Sequence, residues 1–295
     1  MLLRSLMFVP GHRPHMLDRA LGLGEFPASN LDVAILDLED GVPLAEKESA
    51  RATIAAALKR ATAGPGRYVR LNASAALRAA DLDAIARKGL DGVVAPKITD
   101  AREVMALAHD LEDHEIAAGL ARGSLRVIAS IESARGLLEA PAIAASSERV
   151  IALLFGAEDF ALDLGLPALR EAEAADLLHA RSAVVVAAVA AGKAAIDGIW
   201  PDIEDAGGLE RDARTARRLG FSGKSLIHPG QIATVNEIFS PSASEVEHAR
   251  RVVAAFDEAT KRGDGAVALD GQLLDPPIVG RARRTLAAHE MIATR

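Results

Sequence analysis

The chain's chemistry-bearing residues gather at the ends of short apolar runs, and most of them are acids. Asp37-Leu38-Glu39-Asp40 closes one run, Glu132 a second, Glu158-Asp159 a third and Asp197 a fourth; Arg70-Leu71-Asn72, Pro96-Lys97 and His228 end three more. Unpaired carboxylates brought into one place repel one another unless they are protonated or neutralised by a cation. The chain has no cysteine, which removes thiolate metal sites, disulfides and cysteine nucleophiles. Oxygen donors alone suit a hard ion, magnesium or manganese, and magnesium commonly takes one or two protein carboxylates and leaves positions for substrate oxygens. Glu132 and Asp159 are the ligands this pattern favours. Lys97 at a run end raises a Schiff-base reading, but a lysine among acids keeps its charge. Gly223-Lys224-Ser225 does not complete a phosphate-binding G-x-x-x-x-G-K-S, because Arg218 stands where its first glycine belongs.

These residues share a site only if the fold brings the run ends together. Eight β-rich runs alternate with Ala/Leu-rich helical stretches: 4–9, 32–38, 68–71, 92–97, 126–131, 150–155, 194–199 and 224–227. Helix signals lie between them, such as the capping box Thr99-Asp100-Ala101-Arg102-Glu103 and the closing Gly220. Eight βα units predict an α/β fold, a TIM (β/α)8 barrel, whose active site lies at the C-terminal ends of its strands. A doubly wound open sheet would usually carry a G-x-G-x-x-G turn after its first strand, and none follows Val9. Residues 1–240 are expected to form the barrel. Residues 241–295 read as a small extension: a helix from Ser242 through Thr260, a turn at Gly263-Asp264-Gly265, a hairpin in Ala266–Gly271 and a last helix from about Pro277. It is free to cover a barrel mouth, its own or a neighbour's.

Composition narrows the function classes. Half of the 295 residues are hydrophobic and a quarter charged, enough apolar mass for a large core. A net charge of −7 gives no bulk attraction to nucleic acid or anionic lipid. The apolar stretch before Pro10-Gly11 is too short for a signal peptide, and the uncharged run from Ser182 to Gly192 too short for a membrane span. A cytoplasmic enzyme with no nucleic-acid or membrane partner is expected.

In order along the chain, eight motifs resemble those of the citrate lyase β-subunit and malyl-CoA lyase family of acyl-CoA carbon–carbon lyases. They are Leu6–Gly11 (LMFVPG), Asp37–Pro43 (DLEDGVP) with Lys47 and Arg51, Val69–Asn72 (VRLN), Ala95–Lys97 (APK), Ile131–Ser133 (IES), Phe155–Phe160 (FGAEDF), Gly223–Pro229 (GKSLIHP) and Gly271–Asp275 (GQLLD). The resemblance implies that Glu132 and Asp159 bind magnesium, and that Arg70 grips a 2-oxo-acid or hydroxyacyl carboxylate, for which a guanidinium fork is suited. It implies that Asp275 is the acid–base group, often delivered from an adjacent subunit of a trimer or hexamer. Asp37 and Glu39 are expected at or just behind the reacting groups. Lys97 and His228 are expected to touch substrate, and Arg13, Lys47 and Arg51 the phosphates of coenzyme A, unless these three are solvated helix charges. The implied reaction is reversible cleavage of malyl-CoA, citramalyl-CoA or citryl-CoA to an acyl-CoA and a 2-oxo acid. The alternatives are a citrate lyase β subunit acting on a citryl thioester of an acyl-carrier subunit, a malyl-CoA thioesterase or a malate synthase-like enzyme.

Overall fold

In the computed structural model, residues 1–25, 30–167, 175–262 and 267–294 are described. They divide into two compact units, Leu3–Asn236 and Glu237–Arg295 with Met1–Leu2.

The first unit is a closed barrel of eight parallel strands: β1 (Ser5–Pro10), β2 (Val33–Asp37), β3 (Gly66–Arg70), β4 (Gly92–Ala95), β5 (Arg126–Ile131), β6 (Val150–Phe155), β7 (Ala194–Asp197) and β8 (Gly223–Leu226). Each pairs with the next and β8 closes on β1, Leu6 opposite Ser225. Strand ends differ from the expected runs by a few residues. β3, for example, begins two residues early because Gly66 and Arg67 extend the ladder opposite Val33 and Ala34.

Side chains alternate between faces along a strand, so every second residue points inward. Leu6, Val33, Ile35, Tyr68, Ile128, Leu154 and Ile196 belong to the inner apolar cluster. Room for Tyr68 comes from Gly92, where a Cβ would lie 2.5 Å from the tyrosine ring and 2.3 Å from the carbonyl oxygen of Arg126. Two residues onward from Ile35 and Tyr68 stand Asp37 and Arg70; four onward from Ile128 stands Glu132. The inner face therefore turns from apolar to ionic at its C-terminal end, and that change builds the site.

Between strands and helices the barrel is locked by buried ion clusters. Lys224, only 1% exposed, reaches Asp197 at 2.6 Å and Asp212 at 2.5 Å, and Arg181 pairs with the same two acids at 2.8 and 3.0 Å. Burial alone would raise the Asp197 carboxyl, but Lys224 and Arg181 hold it below its usual range. Arg149 and Glu115 form a second lock. Burial opposes the charge of Glu115, yet Arg149 and the amides of Leu125 and Gly123 hold it down at about 2.

The C-terminal unit contains helix Ala243–Arg262, the antiparallel hairpin β9 (Val267–Leu269) and β10 (Gln272–Leu274), and helix Pro276–Ala293. Ala249, Val252, Leu274, Val279 and Ala282 form its core. Ala266–Gly271 does not hold the whole hairpin. Its described part, from Val267 on, supplies the first strand and the turn, with Asp270 and Gly271 both at positive φ, the backbone that a tight two-residue turn requires. The turn expected at Gly263–Gly265 lies outside the described residues. No described helix is long and apolar enough to cross a membrane.

Removing one member of a buried charge cluster leaves the others uncompensated. Lys224→Met is therefore expected to lower stability by about 3–5 kcal/mol in urea unfolding. A loss below about 1 kcal/mol would mean that the cluster does not hold the barrel wall.

Candidate active site and metal centre

Arg70 ends β3 on the inner face, and its guanidinium organises the mouth. Nε and Nη2 donate to the two carboxylate oxygens of Asp37, both at 2.7 Å, a two-pronged pair that fixes the plane of the fork. Nη1 stands 3.1 Å from Glu39 Oε2, and the guanidinium carbon lies 4.7 Å above the ring of Phe8. Burial disfavours a cation here, but Asp37, Glu39 and Glu132 outweigh it and push Arg70 above its ordinary value. Asp37 also accepts from the backbone amides of Glu39 at 2.8 Å and Gly41 at 2.9 Å. The Leu38–Gly41 loop is thus tied to the arginine that it faces.

Glu132 follows β5 and is 6% exposed, and its Oε2 has no hydrogen-bond partner. A Cβ on Gly156 would sit 2.3 Å from Glu132 Cγ, so only glycine at that position leaves the glutamate its place. Burial, then repulsion from Glu39 and Asp159, raise its carboxyl to about 7 against the pull of Arg70 and Lys97. Glu39 is raised as well, chiefly by burial, with Asp40 adding to it and Arg70 and Lys97 opposing. Its Oε2 also lacks a hydrogen bond, although Arg70 Nη1 stands in ion-pair reach of it.

Asp159 lies in the first turn of helix Ala157–Asp163 and is partly exposed. Between these acids stands Lys97, with its backbone at φ 54°. Its ammonium lies 3.0 Å from Asp40, 3.3 Å from Glu39 and 3.9 Å from Asp159. Burial would lower its pKa, but Asp40, Glu39 and Asp159 raise it above the ordinary lysine value. A Schiff-base lysine needs the opposite shift.

The mouth fits a divalent cation supplied with few protein ligands. Among the described residues no group of three or more His, Asp or Glu is gathered to enclose an ion. Instead a buried carboxylate oxygen of Glu132 stands unpartnered within electrostatic reach of Asp159. Two carboxylates and open positions are the donor set magnesium tolerates.

The other expected residues fall outside this group or serve it from behind. Lys47 is neither a phosphate contact nor a solvated helix charge: it is buried, and its ammonium donates to the carbonyls of Leu38 and Glu39 at 2.5 and 2.6 Å. Arg51 is likewise committed, to Asp81 at 2.8 Å. The other oxygen of Asp81 accepts from the Asn72 amide and side chain, each at 2.8 Å. Arg13 is exposed at the start of helix Pro14–Leu21. His228 is exposed at the rim and caps the turn Pro229–Gln231, its Nδ1 accepting from Gly230 at 3.1 Å. Asp197, counted among the mouth's acids, faces outward into the helix layer instead. Asp275 belongs to the C-terminal unit, where it caps helix Pro276–Ala293 by accepting from the Ile278 amide at 3.0 Å. Sequence reasoning missed Phe8, Gly156 and Asp81. The first two lie inside motifs already noted, and inward alternation from Leu6 would have found Phe8.

Residues 4–229 match the HpcH/HpaI aldolase/citrate lyase family. Among curated proteins, the citrate lyase subunit beta of Leuconostoc mesenteroides subsp. cremoris is 38% identical over 291 residues, covering 97% of this chain and 92% of that protein. The mitochondrial citramalyl-CoA lyase of Homo sapiens is 33% identical, covering 96% and 84%. Among solved structures, the CitE protein of Mycobacterium tuberculosis in complex with magnesium, acetoacetate and coenzyme A superposes with a TM-score of 0.77 at 34% identity, covering 97% of this chain and 98% of that one.

The raised carboxyl of Glu132 has a stability signature. Its folded value lies above the ordinary 4.5, so the cost of ionising it is absent below that pH and grows until the pH passes its folded value. In EDTA at about pH 8, Glu132→Gln is expected to be more stable than wild type by about 1–3 kcal/mol in urea unfolding, and equal to it near about pH 4. Equal stability at both pH values would contradict a strained carboxylate.

Proposed function

The chain belongs to the HpcH/HpaI aldolase/citrate lyase family, and we propose that it is a magnesium-dependent carbon–carbon lyase that cleaves a hydroxyacyl-CoA of the malyl, citramalyl or citryl type to an acyl-CoA and a 2-oxo acid. The observation that carries this reading is the buried oxygen of Glu132 without a hydrogen-bond partner, within electrostatic reach of Asp159 and Arg70. Glu132 and Asp159 would hold the metal. When bound, magnesium supplies Lewis-acid polarisation of the substrate's hydroxyl and carboxylate oxygens.

The chain's own groups then have distinct tasks. Arg70, its plane fixed by Asp37, orients the substrate carboxylate and stabilises oxyanion charge through Nη1, which Asp37 does not hold and which the substrate would share with Glu39. Lys47 and Asp37 keep the Leu38–Gly41 loop from shifting as charge develops. Loss of the hydroxyl proton to solvent water sends the electrons of the adjacent carbon–carbon bond to the thioester's α-carbon, where the carbonyl delocalises them. The hydroxyl-bearing carbon leaves as the 2-oxo acid. Asp275, assigned from its place in the Gly271–Asp275 motif, gives a proton to that α-carbon on cleavage and removes it on condensation. Lys97 and His228 are assigned substrate contacts, and Arg13 the outer phosphates of coenzyme A. We place the enzyme in the cytoplasm as a homo-oligomer, a trimer or hexamer. The likeness to citrate lyase subunit beta favours one second reading, in which the thioester is carried by an acyl-carrier subunit.

The test is incubation with malyl-CoA, citramalyl-CoA and citryl-CoA and magnesium, with both products identified. Wild type is expected to release a 2-oxo acid and a shorter acyl-CoA, with EDTA abolishing turnover. Glu132→Ala should lower kcat/KM by about 10³-fold, and Arg70→Lys by about 10²-fold. Free CoA with an intact hydroxy acid would mean thioester hydrolysis, and turnover of a citryl-acyl-carrier alone would favour the second reading. No turnover of any of these thioesters would overturn the proposal.

A further inference from the structure

We propose that Lys97, beyond the substrate contact assigned to it, acts as a built-in counter-cation of the metal centre: its ammonium competes with the divalent ion for Asp159 and holds Glu39 and Asp40 back from joining it. The inference rests on the reading of Glu132 and Asp159 as the metal's ligands, and it gives Lys97 a task on the metal side of the site.

The backbone is the first indication. Lys97 lies at φ 54°, one of two non-glycine residues in the left-handed region among the described residues, and it follows Pro96 at the end of β4. An L-residue with a long side chain gains nothing locally from that conformation, and such strain persists where the surroundings fix it for use. The other non-glycine residue at positive φ, Asp270, sits in a hairpin turn, where that backbone is ordinary. Lys97 has no such turn to serve.

The second indication is what the side chain meets. One ammonium stands within ion-pair reach of three acids from two segments of the mouth, Glu39 and Asp40 after β2 and Asp159 after β6. Arg70 cannot take this part, because its fork is committed to Asp37 and Glu39. The distances are graded: Asp40 and Glu39 are near and Asp159 is farthest. With a side chain 39% exposed, Lys97 can release Asp159 to an incoming ion without breaking its nearer pairs. Glu39 Oε2 is buried and without a hydrogen bond, with Arg70 Nη1 at 3.1 Å, in the same mouth as Glu132, and as a third ligand Glu39 would fill a coordination position that substrate oxygens need. A lysine beside it prevents this in two ways, by pairing with its other oxygen and by repelling a second cation.

The test is manganese binding to the full chain without substrate, followed by electron paramagnetic resonance at about pH 8, above the raised value of Glu132. Lys97→Met keeps the chain length and the backbone requirement but removes the charge, and is expected to bind the ion roughly tenfold more tightly. Lys97→Arg restores the charge and should return the affinity to within about threefold of wild type. Unchanged or weaker binding by Lys97→Met, with wild type binding and Glu132→Ala not, would overturn this inference and leave the metal assignment standing. Tighter binding by both variants would also overturn it, because the charge would then not be the cause. Failure of wild type to bind manganese would overturn the metal assignment itself.

Discussion

A carboxylate on the inner wall of a barrel is costly unless a cation or a set of hydrogen bonds accompanies it. Here Glu132 is buried with one oxygen unpartnered, and the neighbouring acids raise the cost further. The rest of the mouth is arranged around that charge. Arg70 is immobilised by Asp37 and Phe8, Asp37 is satisfied by the amides of its own loop, and Lys47 ties the loop down from behind. None of these fixtures gives Glu132 Oε2 a hydrogen bond. A site whose arginine and loop are held rigid while a buried carboxylate oxygen stays without a hydrogen bond is prepared to take up a cation and to bind substrate around it.

The barrel supplies this arrangement through its periodicity. Apolar residues fill the lower inner face, and the same alternation, continued toward the C-terminal ends of β2, β3 and β5, presents Asp37, Arg70 and Glu132 to one another. The buried clusters of Lys224 and Arg149 lie behind the barrel and play no part in this chemistry; they hold strands to helices. Basic residues in one fold thus divide between two tasks. Those facing the helices end in closed ion pairs, whereas Arg70 and Lys97 at the mouth stand among more carboxylates than they can neutralise.

Much of this was legible in the sequence. Short runs spaced by helical segments mark the eight strands, and acids at the run ends single out Glu132 and Asp159, the proposed ligands, without a structure. Facing was harder to read. Asp197 ends β7 as Asp37 ends β2, but it follows inward Ile196 and so points outward, and a one-residue difference reverses the face. Strands buried on both sides carry no polar alternation that would reveal this. Lys47 and Arg51 look like solvated helix charges because their partners, two carbonyls and Asp81, lie 8 to 30 residues away in the chain. The hairpin was half seen: Asp270-Gly271 announces the turn, while Gln272–Leu274 reads equally well as the lead into the final helix.

Calorimetric titration of the protein with magnesium, repeated in buffers of different ionisation enthalpy, counts the protons released as the ion binds, and it tests most directly whether a cation replaces a proton at Glu132. The account predicts release of about half a proton per ion near pH 7 and almost none at about pH 9, where the carboxyl is already ionised. Binding without proton release at either pH would contradict it.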